Sequence, residues 1–367
     1  MRICHITSGD QWAGVEVMYH RLLKGLQRFN NLEQSAILFN EGKLAEMVRN
    51  IGIPLWIVDE TRMNFFEMVK NVQNIIKEIS PDVVHSHRTK ENILAYLAVY
   101  FNNKNISLIA TQHGMPEPIL FKVKKMKNYI LSKYNDFVLL KYFKCVIAVS
   151  EDLRCNFLQK YDFSDDKIKV IYNGTEIYPY NYLEKEKNYF LIGSAGRLFP
   201  VKDYPLLVEI AHEVLKKTDK IRFELAGDGP EKERINAMIY QYKIENGFIL
   251  RGFIENMQAF YQKLDLYITT SKHEGFPMSV LEAMANGLPI IAANTGGMKE
   301  IVNDGLHGYL VDDRNPKSFA EKCLKLYRDK DLSVKMGAAS KNEITEKFSL
   351  YTMAEKYHNL YINIVYV

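Results

Sequence analysis

The chain has 367 residues, 47% hydrophobic and 25% charged, the balance of an ordinary globular protein with room for two cores. No apolar run reaches the roughly 18 residues that span a bilayer, and the opening Met1-Arg2-Ile3-Cys4-His5-Ile6 reads as a first strand, not as an apolar leader. Four cysteines without CxxC spacing (Cys4, Cys145, Cys155, Cys323) argue against a zinc framework or a disulfide scaffold and for a reducing cytoplasm, and the net charge of +4 comes entirely from residues 1–183, with 23 Lys+Arg against 19 Asp+Glu.

In chain order, β-branched runs alternate with amphipathic stretches. Strands are predicted at Arg2–Thr7, Gln34–Phe39, Leu55–Val58, Val83–His87, Leu108–Gln112, Cys145–Val149 and Lys169–Tyr172. Helical patterns fall between them, as at Val15–Phe29, Phe65–Ile79 and Glu91–Phe101. The polar, Pro-containing stretch 179–188 reads as a linker. The rhythm then restarts with strands at Phe190–Ala195, Arg222–Ala226, Ile249–Gly252, Leu266–Thr269, Ile290–Ala292 and Gly308–Val311. The expectation is α/β: two Rossmann-like, doubly wound units at 1–178 and 189–349, with a cleft between them. A Tyr-rich helix at 350–367 could pack back on either unit.

The charged motifs gather in the second half. Glu274 and Glu282 bracket a Gly275-Phe276-Pro277 loop and a helix running from Met278 to Asn286, with Gly287 as its stop. One carboxylate precedes a helix start and the other lies on its second turn, with anion-favouring N–H groups between them. Arg197 and Lys202 follow Gly196 on the loop after the strand Phe190–Ala195, placed to reach a diphosphate or simply to be solvated. Gly227 and Gly229 read either as a close approach for a nucleotide or as a turn. Gly296-Gly297, followed by Glu300, offers further N–H groups. Taken singly, each has a bland reading; together, each near the end of a predicted strand, they suit a nucleotide sugar.

At these residues the chain resembles the retaining glycosyltransferases of family 4, which have the GT-B fold. The E-x7-E motif matches as Glu274 and Glu282, and the Arg-x4-Lys loop as Arg197 and Lys202. The likeness extends through Ala13-Gly14-Val15-Glu16, Thr111-Gln112-His113-Gly114, Val149-Ser150-Glu151 and Tyr172-Asn173-Gly174-Thr175. The resemblance implies a donor-binding second unit and an acceptor-binding first one. Arg197 and Lys202 would neutralise the leaving diphosphate. Glu282 would hold the ribose, and Glu274 a hydroxyl of the donor sugar, in a pocket shaped by Gly275, Phe276 and Pro277. Glu300 would sit nearby, Gly14 would lie close to the diphosphate, and His113 would reach the sugar from the first unit. Fixed cations would do this without a metal or other cofactor, since no DxD-type pair occurs at a matching place. A UDP-sugar is the favoured donor and GDP-mannose the second. The acceptor would be a glycan or lipid-linked molecule of bacterial polysaccharide or envelope assembly, and no nucleic acid is expected.

Two positions depart from the family pattern. Ala13 replaces one glycine of a usual pair beside Trp12, whose ring could stack on an acceptor sugar or pack in the core. Asp203 replaces the glycine that usually follows Lys202. His85 and His87 look like strand-end residues, with His87 a candidate on the acceptor side; as a metal pair they lack an evident third ligand. Lys122–Lys144 holds seven lysines and a single acid, Asp136, among aromatic and aliphatic residues. It reads either as a solvated face or as a helix lying on the anionic inner face of the cytoplasmic membrane. Against transfer stand a GT-B-fold sugar-nucleotide epimerase, a dehydrogenase that would need a G-x-G-x-x-G after the first strand, and an inactive binding module.

Overall fold

The computed structural model describes residues 1–9, 12–100, 105–114, 122–160, 163–178 and 187–366; of residues 122–128 only the backbone is described. Most of the expected linker, 179–186, lies outside them. The chain divides into two compact units, Met1–Gly174 with Leu350–Val367, and Thr175–Ser349.

In the first unit the order is β1 (Arg2–Thr7), α1 (Gly14–Leu26), β2 (Glu33–Leu38), α2 (Lys43–Asn50), β3 (Leu55–Ile57), α3 (Phe65–Ile79), β4 (Val83–Ser86), α4 (Thr89–Tyr100), β5 (Ser107–Gln112), α5 (Lys122–Tyr142), β6 (Cys145–Ala148), α6 (Glu151–Lys160) and β7 (Ile168–Val170). The seven strands form a parallel sheet in the order β3-β2-β1-β4-β5-β6-β7. The short α2 was not expected from the sequence. Its eight residues bury only Leu44, Ala45 and Val48, too little apolar periodicity to stand out.

The second unit runs β8 (Phe190–Ala195), a 3₁₀ turn (Pro200–Lys202), α7 (Tyr204–Leu215), β9 (Ile221–Ala226), α8 (Lys232–Tyr242), β10 (Phe248–Gly252), α9 (Met257–Lys263), β11 (Leu266–Thr269), α10 (Met278–Ala285), β12 (Ile290–Ala293), α11 (Met298–Ile301), β13 (Gly308–Val311), α12 (Pro316–Arg328) and α13 (Lys330–Lys347). Its parallel sheet is ordered β10-β9-β8-β11-β12-β13. Strands buried on both faces explain the continuous apolar runs: Ile290 to Ala293 are all buried, as are Leu266 to Thr269. In each sheet the strand order reverses direction once, between β1 and β4 and between β8 and β11. Ligands of open α/β sheets bind outside the carboxyl ends of strands at such a switch point.

The last helix, α14 (Leu350–Tyr366), belongs to the first unit. It lies on α1, with Phe29 stacked on His358 at 3.8 Å, and it sends two tyrosines to the sheet. Tyr361 OH lies 2.7 Å from His85 Nδ1, and Tyr357 OH 3.0 Å from Thr111 Oγ1. Both tyrosines are buried. Tyr361→Ala should therefore cost about 3–5 kcal/mol of stability, as for other large buried side chains. Tyr361→Phe, which strips His85 of one partner, should cost about 1–3 kcal/mol. Chemical denaturation of the two variants checks both values.

Candidate active site

The loops that leave the switch point of the second sheet carry the predicted charged residues. Lys202 closes the 3₁₀ turn after β8, and Glu274 lies on the loop after β11. Lys202 Nζ donates to Glu274 Oε1 at 2.5 Å, and Ser271 Oγ donates to the same oxygen at 2.6 Å. The two charged side chains keep 20% and 12% of their exposure, so the pair is shielded but reachable. Thr270 Oγ1 donates to the Lys202 and Asp203 carbonyls, 3.0 Å each, joining the two loops. Buried Tyr204 and Tyr267 form the floor, Tyr267 OH donating to the Ala195 carbonyl at 3.1 Å.

Glu282 sits on α10 one helical turn beyond its start and accepts from Tyr261 OH at 2.8 Å. Pro277 is the N-cap of the helix, and Gly287 follows it with φ +73°, as a C′ glycine does. Gly275, Phe276 and Pro277 are buried, with Phe276 against Phe348 at 5.3 Å. Arg197 packs over Phe199, 4.7 Å from the ring centroid. Glu300 is half-buried in α11, just after Gly296 and Gly297.

The glycines serve loop nesting as well as any ligand. A Cβ on Gly227 would lie 1.9 Å from the Gly196 carbonyl oxygen, and one on Gly296, at φ +56°, 2.1 Å from that of Glu274. Gly229 is pressed against Leu198 in the same manner. The sequence left Gly227 and Gly229 open between a close approach for a nucleotide and a turn; the close backbone seen here is that of the neighbouring loop.

At the carboxyl end of the first sheet, His113 follows β5 and is half-buried. His87 Nδ1 lies 3.4 Å from His113 Nε2. His87 is itself only 1% exposed, which corrects its placement on an acceptor surface: it meets its surroundings through other rings. His5 supplies the third imidazole that the sequence did not suggest. It pairs in register with His85, and ligand atoms of His5, His85 and His87 lie within 4.8 Å of one another. Two parallel strands adjacent in the sheet but distant in sequence create this juxtaposition, so spacing alone could not reveal it. His85 already uses both ring nitrogens, on Tyr361 and Thr111, so ligation would require breaking one of these bonds. Neither ring nitrogen of His5 has a partner among the described residues. Burial pushes His5 down to about 3 and holds His85 and His87 well below the ordinary histidine range; His113 is lowered by burial and by Arg88. These rings are neutral near pH 7.

The first loop is fixed by carboxylates. Glu16, with its side chain wholly buried, pairs with Arg88 and accepts from the Ala13 N–H at 3.1 Å, while Ser8 Oγ donates to Glu91. Gly14, the first residue of α1, is exposed. Trp12 is half-buried and packs on the cluster of Tyr19, Leu23 and Leu44. Arg88, Ser271, Tyr261 and Arg314 were not singled out from the sequence. Arg88, Tyr261 and Arg314 work through partners on other elements, a relation that carries no local signature, whereas Ser271 acts on Glu274 within one loop.

Two family profiles match side by side: Glycosyltransferase Family 4 over residues 12–177 and Glycosyl transferases group 1 over residues 181–343. The chain belongs to the family 4, group 1 glycosyltransferases. Among its relatives, the UDP-Gal:alpha-D-GlcNAc-diphosphoundecaprenol alpha-1,3-galactosyltransferase of Escherichia coli is 24% identical over 94% of this chain and 95% of its own. The poly(ribitol-phosphate) alpha-N-acetylglucosaminyltransferase of Staphylococcus aureus is 29% identical over 65% of this chain, a match that spans only 46% of that longer enzyme. The crystal structure of Anabaena HepE in complex with UDP-glucose superposes with a TM-score of 0.86 at 20% identity, covering 99% of this chain and 100% of the other. That likeness shows the GT-B fold. The protein is a glycosyltransferase, and the epimerase alternative finds no support in these comparisons.

The buried histidines give stability a definite pH dependence. An unfolded histidine titrates near 6.5, whereas folded His5 does so near 3. Between these values the unfolded chain binds a proton that the folded chain does not, so stability is full above the unfolded pKa and falls as pH drops. His5 alone should contribute a slope of about 1.4 kcal/mol per pH unit. Denaturation curves from pH 7.5 to 5 should show the decline, and His5→Gln should flatten it by about that amount.

Proposed function

We propose that this glycosyltransferase moves a sugar from a UDP-sugar to a glycan or lipid-linked acceptor in bacterial polysaccharide or envelope assembly, with retention of anomeric configuration. The observation that carries the reading is the Lys202–Glu274 pair, held at 2.5 Å beside α10 and its Glu282. An ammonium has three donor hydrogens, and Glu274 takes one of Lys202's, so the others can meet phosphate oxygens. With Arg197 it would stabilise the charge that develops on the diphosphate as the glycosidic C–O bond breaks. Glu274 would accept from a donor-sugar hydroxyl, and Glu282, oriented by Tyr261, from the ribose. His113, a neutral imidazole, would serve as a hydrogen-bonding group for the sugar and not as an acid. In the front-face course we favour, the acceptor oxygen bonds to the anomeric carbon on the side the phosphate leaves. The acceptor's proton passes to that phosphate. Fixed cations make a metal unnecessary in this scheme.

UDP is favoured over GDP-mannose because the E. coli relative is named for UDP-Gal and HepE was crystallised with UDP-glucose. For location, we propose peripheral attachment to the inner face of the cytoplasmic membrane through α5. Ile130, Tyr134 and Phe137 follow helical spacing and are 61%, 40% and 49% exposed, with Lys133 and Lys141 over neighbouring rings. Such a stripe suits an interface rather than a span, and no helix among the described residues is long and apolar enough to cross a membrane.

A panel of nucleotide sugars screened by thermal shift should give the greatest stabilisation with a UDP-sugar. With that donor, Lys202→Ala and Glu282→Ala should each lower acceptor-dependent UDP release on the order of 10²-fold with unchanged circular dichroism; wild-type turnover in either would contradict its role. EDTA should leave the rate unchanged. Ile130→Asp/Phe137→Asp should lose co-sedimentation with anionic vesicles at low salt, and absence of wild-type binding would end the membrane proposal.

A further inference from the structure

Asp203 occupies a backbone position with φ +50° and ψ +49°, the left-handed region where glycine sits without strain and aspartate only with local help. Its carboxylate is not idle there. Arg314, three residues beyond β13, donates from Nη2 to Asp203 Oδ2 at 2.5 Å. The same nitrogen donates to the Thr270 carbonyl at 2.6 Å, and Nη1 lies 3.4 Å from the Ser271 carbonyl. Lys272 Nζ stands farther from Asp203, at 3.8 Å.

One planar guanidinium thus joins three loops: the one after β8 through Asp203, the one after β11 through Thr270 and Ser271, and its own. The residues it holds are next to the charged pair. Asp203 follows Lys202 directly, and Ser271 donates to Glu274. Arg314 is 36% exposed, so as a surface ion pair it would add little to stability. Its rigid fork of donors, which lysine lacks, suits it to fixing geometry. It also occupies a carboxylate that would otherwise stand as a second acceptor one residue from the Lys202 ammonium.

We propose that Arg314 is a positioning residue for sugar transfer: by engaging Asp203 and the Thr270 and Ser271 carbonyls, it sets Lys202 and Glu274 at their working separation. Asp203 and Arg314 form a unit in which the arginine makes an aspartate tolerable at a glycine position beside the diphosphate-binding lysine. The inference rests on the proposed roles of Lys202 and Glu274.

The test compares full-length wild type, Arg314→Ala, Arg314→Lys and the double variant Asp203→Gly/Arg314→Ala. Acceptor-dependent UDP release gives kcat and donor KM, and hydrogen exchange reports on segments 199–206 and 270–276. Arg314→Ala should lower kcat about tenfold, change donor KM less than threefold, and speed exchange in both segments. The double variant should recover at least threefold in kcat, because glycine needs neither strain relief nor a counter-charge. Arg314→Lys should fall between wild type and Arg314→Ala, and it carries the test if the alanine variant does not fold. Wild-type kcat in the Arg314 variants, or a double variant no faster than Arg314→Ala, overturns the inference. If the wild type itself releases UDP from no donor, the proposed function fails instead. Exchange then decides this inference alone: unchanged protection of 270–276 in Arg314→Ala overturns it.

Discussion

The Lys202–Glu274 pair is held together by the chain on both sides of it, and the second unit's fold can be read outward from that contact. A shielded ion pair leaves any unmatched charge costly, so neither partner is free to drift. Lys202 is held through its carbonyl by Thr270, and Glu274 through its carboxylate by Ser271 and through its own carbonyl by the Gly297 N–H at 3.0 Å. Those bonds require three loops from non-adjacent stretches of sequence to lie in van der Waals contact. Only a residue without a Cβ permits it at 296, and Gly227 does the same where the loop after β9 meets Gly196. Beneath the loops, apolar packing of β8, β9 and β11 on α7 and α12 fixes the sheet edge from which they depart. The switch point between β8 and β11 is what brings Lys202 and Glu274 to the same edge.

The first unit builds its own switch point by different means. Where the second uses paired charges, the face between β1, β4 and β5 is lined with imidazoles and hydroxyls: His5, His85, His87, Thr111, Tyr357 and Tyr361. Burial keeps these rings uncharged, so the face is polar without carrying net charge. Tyr357 and Tyr361 come from the last helix of the chain and His5 from the first strand. The hydrogen bonds of this face therefore depend on α14, while among the described residues His5 joins it through ring contacts alone.

Much of this was legible in the sequence, and for a clear reason. Doubly wound sheets write themselves as alternating periodicities, so strands such as Arg2–Thr7, Phe190–Ala195 and Leu266–Thr269 have the limits expected of them. Lys202, Glu274 and Glu282 were visible because each lies within a few residues of a strand end or helix start whose chemistry is local. His5 was not, because its meaning comes from register with His85, and register between strands some eighty residues apart leaves no mark in either. Arg314 was invisible for the same reason. Asp203 was visible only as a departure from a family pattern; its left-handed backbone and its guanidinium partner turn that departure into part of the site's construction.

The self-pairing of the site's charges bears on how it would discriminate. A cluster of unpaired cations would attract any anion, and selectivity would then depend on the rest of the pocket. Lys202 is already matched by Glu274, so a simple anion gains little from it: what it gains in contact with the ammonium is offset by weakening a good internal pair. Under the proposed roles a nucleotide sugar would differ, because its diphosphate would approach the remaining ammonium hydrogens while its sugar hydroxyls would donate to Glu274 and its ribose to Glu282. Each part of the donor repairs the balance that another disturbs. Specificity for the whole molecule over its fragments would then follow from the pairing itself, with the hydrogen bonds between the loops opposing relaxation of the pair by a fragment alone.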